Sequence, residues 1–331
     1  MPNVYHFTGT PAPRRMRSPL LPASRPDPQV ARWIARELAA APPRAPSLVI
    51  TVWGDGIAPH GGAVMLPGLI RLLAPFGINE RLTRTSVFRL GRERWLAAKR
   101  IGRRSLYRLT TSGARRFEQA YRRIYTPPAD AWDDDWDLVI AGSLPAGRRQ
   151  ALRDELHWDG FGILAPGVYA RPVQPGSTVS ASLATHGAGL LVVRARDNGA
   201  WDGASLTAAV PHAWDLAGIA AGYRKFLRRF GGVIERFRRA PGGNYDPEQC
   251  FVVRTLLIHE YRRVLLRDPR MPAALLPLDW PGAAAYALCR DFYRLTHARA
   301  EQHLAAVLEG PRGALPPANA AFYERFGGLA S

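Results

Sequence analysis

Apolar positions first organise this chain around residue 30. Val30, Ile34 and Leu38 recur four residues apart behind Asp27-Pro28, a side-chain cap followed by a residue whose fixed φ suits a first helical turn. That spacing predicts a short docking helix over 28–40. The rest of 1–43 is rich in Pro and Arg and carries no period, as expected of a flexible basic arm. From Ser47 the texture changes. "SLVITVWGDGI", "VMLPGLIRLLAPFG" and "ERLTRTSVFRLGRERW" read as three successive helices. Two short runs, "WLAAKRI" and "SLYRLT", are parted by "GRR" and read as a two-stranded hairpin. A further helix starts at Ser112 and stops before Pro127-Pro128, which marks a linker.

The pattern then changes twice more. "WDLVIAG" reads as a strand, "RRQALRDELHWDGF" as a helix, and "GVYARP" and "GAGLLVVRAR" as strands. A β-α-β start with antiparallel additions predicts a small ferredoxin-like domain. After Pro211 apolar positions recur three and four apart to near the end, and Asp246-Pro247 repeats the cap-and-proline start. The predicted fold class is α+β and multidomain. It comprises an arm (1–43), a winged helix-turn-helix head (44–126), a ferredoxin-like middle domain (127–212), an all-helical domain (213–310) and a tail (311–331).

Charge adds a direction to this organisation. The chain has 331 residues, 47% of them hydrophobic, enough for real cores, and a net charge of +18. Between Arg71 and Arg123 stand fifteen Arg or Lys against three acids, so twelve of the eighteen net positive charges lie in about a sixth of the sequence. Such a concentration is a binding surface for a polyanion rather than a diffuse aid to solubility. In a helix-turn-helix the third helix enters the major groove while its apolar side packs on the first two. Leu82, Val87 and Leu90, with Phe88 and Trp95 nearby, are expected to form the inner side. Arg81, Arg84, Thr85 and Arg89 are expected to project towards DNA, with Thr83 or Ser86 near the backbone. Lys99, Arg100, Arg103 and Arg104 cluster at the hairpin tip, where Gly102 permits the turn, and are expected to grip phosphates or the minor groove. The plainer reading, a solvated cationic face, leaves the coincidence of helix, wing and charge unexplained.

"GDGIAPHGGAVMLPGLIRLLAPFGINERLTRTSVFRL", "GRRSLYRLTTSGARRFEQAYRRIY" and "LIHEYRRVLLRDPRMPAALLPLDWPGAAAY" carry a resemblance. Over roughly residues 45–310 the chain resembles the PaaX family of transcriptional regulators, repressors of phenylacetate catabolism. The resemblance implies a homodimeric repressor, and two heads on one two-fold axis are expected to read an inverted-repeat operator in double-stranded DNA. It implies a winged-helix head, a middle domain similar to Cas2 and a helical C-terminal domain, with repression relieved by phenylacetyl-CoA or a related acyl-CoA. The basic arm lies outside the matched region.

Several other motifs suggest chemistry. "GDGIAP" lacks the third glycine and the βαβ frame of a dinucleotide loop, so Gly54 and Gly56 read as packing positions. "HEYRR" places Arg263 where a zinc helix needs its second His. A Cas2-like nuclease would want a carboxylate at the end of the strand "DLVIAGSLP", where Gly142-Ser143 stand; the acids from Asp133 to Asp137 read as preceding the strand and facing a linker. No catalytic residue, metal site or cofactor is assigned. For an acyl-CoA, His259, Tyr261, Arg262, Arg263 and Trp280 offer cations and an apolar slot. A purely structural role for His259 and Tyr261 stays open beside that reading. Cys250 and Cys289 read as reduced core thiols. No apolar run approaches the ~20 residues of a membrane span, and no signal-peptide core is present, so the expected location is cytoplasmic. The leading reading is a dimeric, ligand-responsive repressor. A metal-dependent nuclease and an effector-independent DNA-binding protein are the alternatives, separable by band shift without metal, cleavage with metal, and ligand titration.

Overall fold

The computed structural model describes residues 24–127, 132–173, 189–196, 205–240 and 244–329. These residues form two compact units. One takes the chain up to Arg122 with Phe230–His259 and Cys289–Ser331; the other takes Arg123–Arg229 and Glu260–Leu288. Most of the arm expected over 1–43 lies outside the described residues.

In the first unit, Asp27 caps α1 (Pro28–Ala40) by accepting from the Gln29 N–H, and Arg236 and Gln249 hold Asp27 in turn. Val30 and Trp33 are buried, with Trp33 5.5 Å from the ring of Phe230; Ile34 and Leu38 of the expected stripe are half-buried, and Trp33 joins it. α2 (Ala45–Val52) continues into a single π-turn at Trp53–Ile57, the "GDG" stretch. A Cβ on Gly54 would stand 2.8 Å from Phe117, so the glycine serves close packing. Val64 and Met65, expected to open the second helix, lie instead in β1 (Ala63–Met65), and α3 (Leu66–Leu73) starts after it. Its apolar run is too short to be told from a helix by periodicity. Gly77, at φ +75, ends the following turn, and α4 (Glu80–Arg92) opens under a cap by Asn79. β2 (Leu96–Ile101) and β3 (Arg104–Leu109) then pair antiparallel, with β1 on the far side of β3. Gly102, at φ +58, takes the first place of their two-residue turn. α5 (Thr111–Tyr125) follows. Leu48, Val52, Leu69, Leu72, Val87, Leu90 and Leu106 form the core beneath.

In the second unit, β4 (Asp135–Ala141), α6 (Ala146–Trp158), β5 (Gly162–Ala165), β6 (Val168–Pro172) and β7 (Leu190–Arg196) follow one another. The sheet is antiparallel in the order β5-β6-β4-β7, with the domain's first and third strands central, as in a ferredoxin-like sheet. β5, a short run straight after the helix, was not anticipated. Leu152 and Leu156 of α6 pack on Val139 and Tyr169 on one face. The other face buries Trp136 and Ala170 against Val210 of α7 (Leu206–Ala213) and against Trp214, Met271 and Leu275. Asp137 corrects an expectation: it lies within β4, not in a linker. It is buried there between Arg171 and Arg194, each 3.1 Å from its carboxylate.

The C-terminal region is helical: α8 (Leu216–Arg238), α9 (Pro247–Leu265) and α10 (Gly282–Val307) each give residues to both units. A small pairing of β8 (Glu309–Gly310) with β9 (Gly313–Ala314) departs from the all-helical reading. The segment 311–331, read as a tail, is anchored through α11 (Ala320–Tyr323). Phe322, Phe326 and Leu329 are buried in the first unit, because two aromatic rings and a leucine carry more apolar area than a solvated tail tolerates. Cys250 and Cys289 are free and fully buried, and burial pushes the thiols up.

Candidate nucleic-acid interface

α4 is two-faced. Thr83, Ser86, Val87 and Leu90 are buried, while Arg81, Leu82, Arg84, Thr85, Phe88, Arg89 and Arg92 are exposed. Two expectations are thereby corrected. Thr83 and Ser86 are not placed to touch DNA: both lie in the interior, and the Thr83 hydroxyl donates to the Asn79 carbonyl at 3.0 Å. Small residues at these positions allow the close packing of α4 on α2. Leu82 and Phe88 do not belong to the inner side; at 100° per residue they fall outside the arc of Thr83, Ser86, Val87 and Leu90.

The outward cations are of two kinds. Arg84 donates to Glu80 at 2.8 Å and Arg89 to Glu93 at 2.7 Å, both four residues away along the helix. Such exposed pairs are worth about 0.3–0.5 kcal/mol, so an incoming phosphate or base can exchange for the carboxylate at little cost. The guanidiniums of Arg81 and Arg92 make no hydrogen bond or ion pair among the described residues. Arg92 was not singled out from the sequence; its spacing from Arg81 and Phe88 would have found it. The Thr85 hydroxyl donates to the Arg81 carbonyl at 2.9 Å.

At the hairpin, Lys99, Arg100 and Arg103 are exposed around Gly102, and Arg100 reaches the Gly102 carbonyl at 3.1 Å. Arg104 differs. It pairs with Glu309 of β8 at 2.6 Å, tying the hairpin to β8, while Arg71 of α3 donates to the Val307 carbonyl at the end of α10 at 2.9 Å. Nothing local in the sequence signals a partner 205 residues away. Arg116 lies over the Trp95 ring at 4.8 Å, and Arg123, in the second unit, donates to the Asp268 carbonyl at 2.6 Å. The basic segment thus divides into cations that hold the fold and an outward set on α4 and the hairpin tip.

Of the five residues considered for an acyl-CoA, two are buried and three keep exposed surface. His259 is buried in the first unit with Nδ1 2.8 Å from the Thr51 hydroxyl. Tyr261 is buried in the second, its ring 5.6 Å from Phe226 and 6.3 Å from Tyr223. Each thus has the kind of fixed polar or aromatic partner that a buried imidazole or phenol ring needs. Arg262 is half-buried, and burial pulls its guanidinium down to about 10. Arg263 is exposed beside Glu260 at 3.3 Å, and Trp280 is half-buried edge-on to Tyr223.

Three family models match the chain in order: PaaX-like protein over residues 44–113, PaaX protein central Cas2-like domain over 129–206, and PaaX-like protein C-terminal domain over 214–306. The transcriptional repressor PaaX of Escherichia coli (strain K12) is 35% identical over 301 residues, covering 90% of this chain and 94% of that protein. A solved structure, the uncharacterized protein Rv0674 from Mycobacterium tuberculosis, is 28% identical with a TM-score of 0.47, covering 72% of this chain and 89% of that one.

Proposed function

The chain belongs to the PaaX family of transcriptional regulators, and from that premise we propose that it is a sequence-specific DNA-binding repressor whose head is a winged helix-turn-helix. The observation that carries the reading is the outward arc of α4. Four arginines stand on a helix whose opposite side is core, beside a hairpin with Lys99, Arg100 and Arg103 at its tip. A helix of this width fits the major groove, and cations on a neighbouring wing suit phosphates. The regulated operon in this reading is one for aromatic, phenylacetate-type catabolism. The protein acts in the cytoplasm as a homodimer on an inverted repeat whose half-sites lie a whole number of helical turns apart. Arm, head, Cas2-like domain, helical domain and tail keep the boundaries given above.

The effector in this proposal is an aryl-acyl-CoA such as phenylacetyl-CoA. Of the residues considered for it, Arg262, Arg263 and Trp280 retain exposed surface. A ligand releases the repressor only if it prefers the DNA-incompetent state, and a tenfold loss of operator affinity needs about 1.4 kcal/mol of coupling. The nuclease alternative finds little support: Asp137 is committed to Arg171 and Arg194, and β4 ends at Ala141 before Gly142-Ser143, without a carboxylate there. Among the described residues no helix is long and apolar enough to cross a membrane.

The test is a band shift with promoter duplex in the presence of a chelator, repeated with phenylacetyl-CoA and with free phenylacetate, alongside an incubation with magnesium or manganese. Retarded, uncut DNA released by the CoA ester supports the reading. Cleavage, or no retardation, overturns it. Retardation indifferent to every acyl-CoA leaves an effector-independent binder.

A further inference from the structure

Charge explains only part of the outward arc of α4. At 100° per residue Arg81, Thr85, Phe88 and Arg92 run along its middle, with Arg84 on one flank and Leu82 and Arg89 on the other. Phe88 is 67% exposed and Leu82 46%. A phenyl ring in water at the centre of a helix face adds nothing to the fold, since Val87 and Leu90 already fill the core side. Phosphates would not use it either. Its neighbours narrow the possibilities. The Thr85 hydroxyl spends its proton on the Arg81 carbonyl, which leaves Thr85 no donor for a base edge and presents its methyl there. Arg84 and Arg89 lie along the flanks towards Glu80 and Glu93. The middle of the face therefore pairs an apolar ring and a methyl with cations on every side.

Resting on the DNA-binding reading above, we infer that Phe88, assisted by the Thr85 methyl, reads the C5-methyl group of thymine in the major groove and is a specificity-determining residue of this helix. The major-groove edges of the four bases offer one apolar group, the thymine methyl, and phenylalanine is among the side chains suited to it. The surrounding arginines supply the complementarity to phosphate that seats such a ring among base edges. Insertion of a ring between base pairs is the habit of minor-groove wedges, and the minor groove is too narrow for a helix.

The experiment starts by selecting preferred sites from a random duplex library with the full-length protein. Each thymine of the selected site is then replaced by uracil, which removes the methyl and nothing else. At one or two positions uracil weakens wild-type binding about fourfold, the affinity equivalent of burying one methyl group. Phe88→Ala, at an exposed position where truncation leaves the core intact, binds the thymine site at least fourfold more weakly. It is indifferent to uracil there, and it keeps the wild-type salt slope because no counterion contact is lost. Wild-type binding unmoved by uracil at every position, or a Phe88→Ala protein that still senses it, overturns the inference while leaving the repressor reading intact. Selection of no sequence over random duplex removes both. Loss of self-association in Phe88→Ala, with uracil sensitivity absent in wild type, assigns the ring to a second copy of the chain and overturns the inference.

Discussion

Two groups of arginines in the same unit behave as opposites. On α4, Arg81, Arg84, Arg89 and Arg92 stand in water, and the two that have partners hold them through exposed pairs one turn away. Beneath the π-turn, Arg254 and Arg325 are buried completely. Arg254 lies 3.2 Å from one oxygen of Asp55 and 3.1 Å from Glu301; Arg325 donates to the Asp55 carbonyl at 2.8 Å. Tyr293 donates to the Asp55 carboxylate at 2.6 Å, and His60 places one ring nitrogen 2.7 Å from Glu301 and the other 2.6 Å from the Pro316 carbonyl. In water a guanidinium can leave its partner almost freely. In the core it cannot, because the carboxylate left behind would be desolvated and unpaired. Counting arginines measures charge; burial decides which of them are available to DNA.

The sharpest way to break this contrast is at Asp55. Asp55→Ala removes the buried carboxylate that faces Arg254 and Tyr293, leaving Arg254 with Glu301 and Arg325 with backbone and phenol oxygens. It should lower unfolding free energy by about 3–5 kcal/mol, read from the urea midpoint of the unit that holds it. A shift within 0.5 kcal/mol would show that the cluster is not a stabilising centre. The same substitution logic at Arg81 or Arg92 should move that midpoint by no more than about 0.5 kcal/mol.

This division was only half legible beforehand. The existence of α4, its approximate ends and its cationic side followed from local spacing, because helix period and capping are short-range properties. Which way Leu82, Phe88, Thr83 and Ser86 turn did not follow. Residue type alone favours Leu82 and Phe88 for the core, whereas the space that accepts two hydroxyl residues is shaped by α2, a neighbour in space. The packing role that "GDG" suggests for its glycines holds for Gly54 against Phe117, but nothing in the motif marks Asp55 between them. Its partners lie 199, 238 and 270 residues further on, and no local pattern encodes them. The same holds for Arg104 with Glu309, and for β5, too short to register beside its helix.

The outward set makes the next largest prediction. Arg84→Ala or Arg89→Ala should cost about 1–3 kcal/mol at a selected site if either pairs with a guanine edge, with little change in stability. Isothermal titration on the selected site and on scrambled duplex separates base reading from phosphate contact; equal losses on both would demote these arginines to positioning. Smaller still is the hairpin. Lys99→Ala, Arg100→Ala and Arg103→Ala should each weaken every duplex alike and reduce the slope of log affinity against log salt by about one unit. Arg104→Ala is the internal control, since losing Glu309 also loosens β8; stability as well as affinity should fall there, and affinity alone would mean that the Glu309 pair does not hold the hairpin.

The smallest effect tests the buried side through pH. Burial raises the Glu301 carboxyl, but the hydrogen bond with His60 and the charge of Arg254 outweigh it, and the group is held below the ordinary 4.5. A carboxyl whose folded pKa is depressed stabilises fully above its unfolded value and loses that contribution as pH falls through the folded one. In the other unit burial outweighs the charges of Arg171 and Arg123 at Asp159. There, and at Asp268 despite the Tyr223 hydroxyl, it leaves the carboxyl above the ordinary 3.8, so their contributions are present at low pH and lost on raising it. Glu301→Gln removes the first term alone. The gap in thermal midpoint between wild type and Glu301→Gln should therefore be greatest near neutrality and close as the buffer is taken below 4.5, whereas the gap between wild type and Asp268→Asn should move the other way. A Glu301 gap that stays constant with pH would mean that its carboxylate is not held by His60 and Arg254 in the way the distances require.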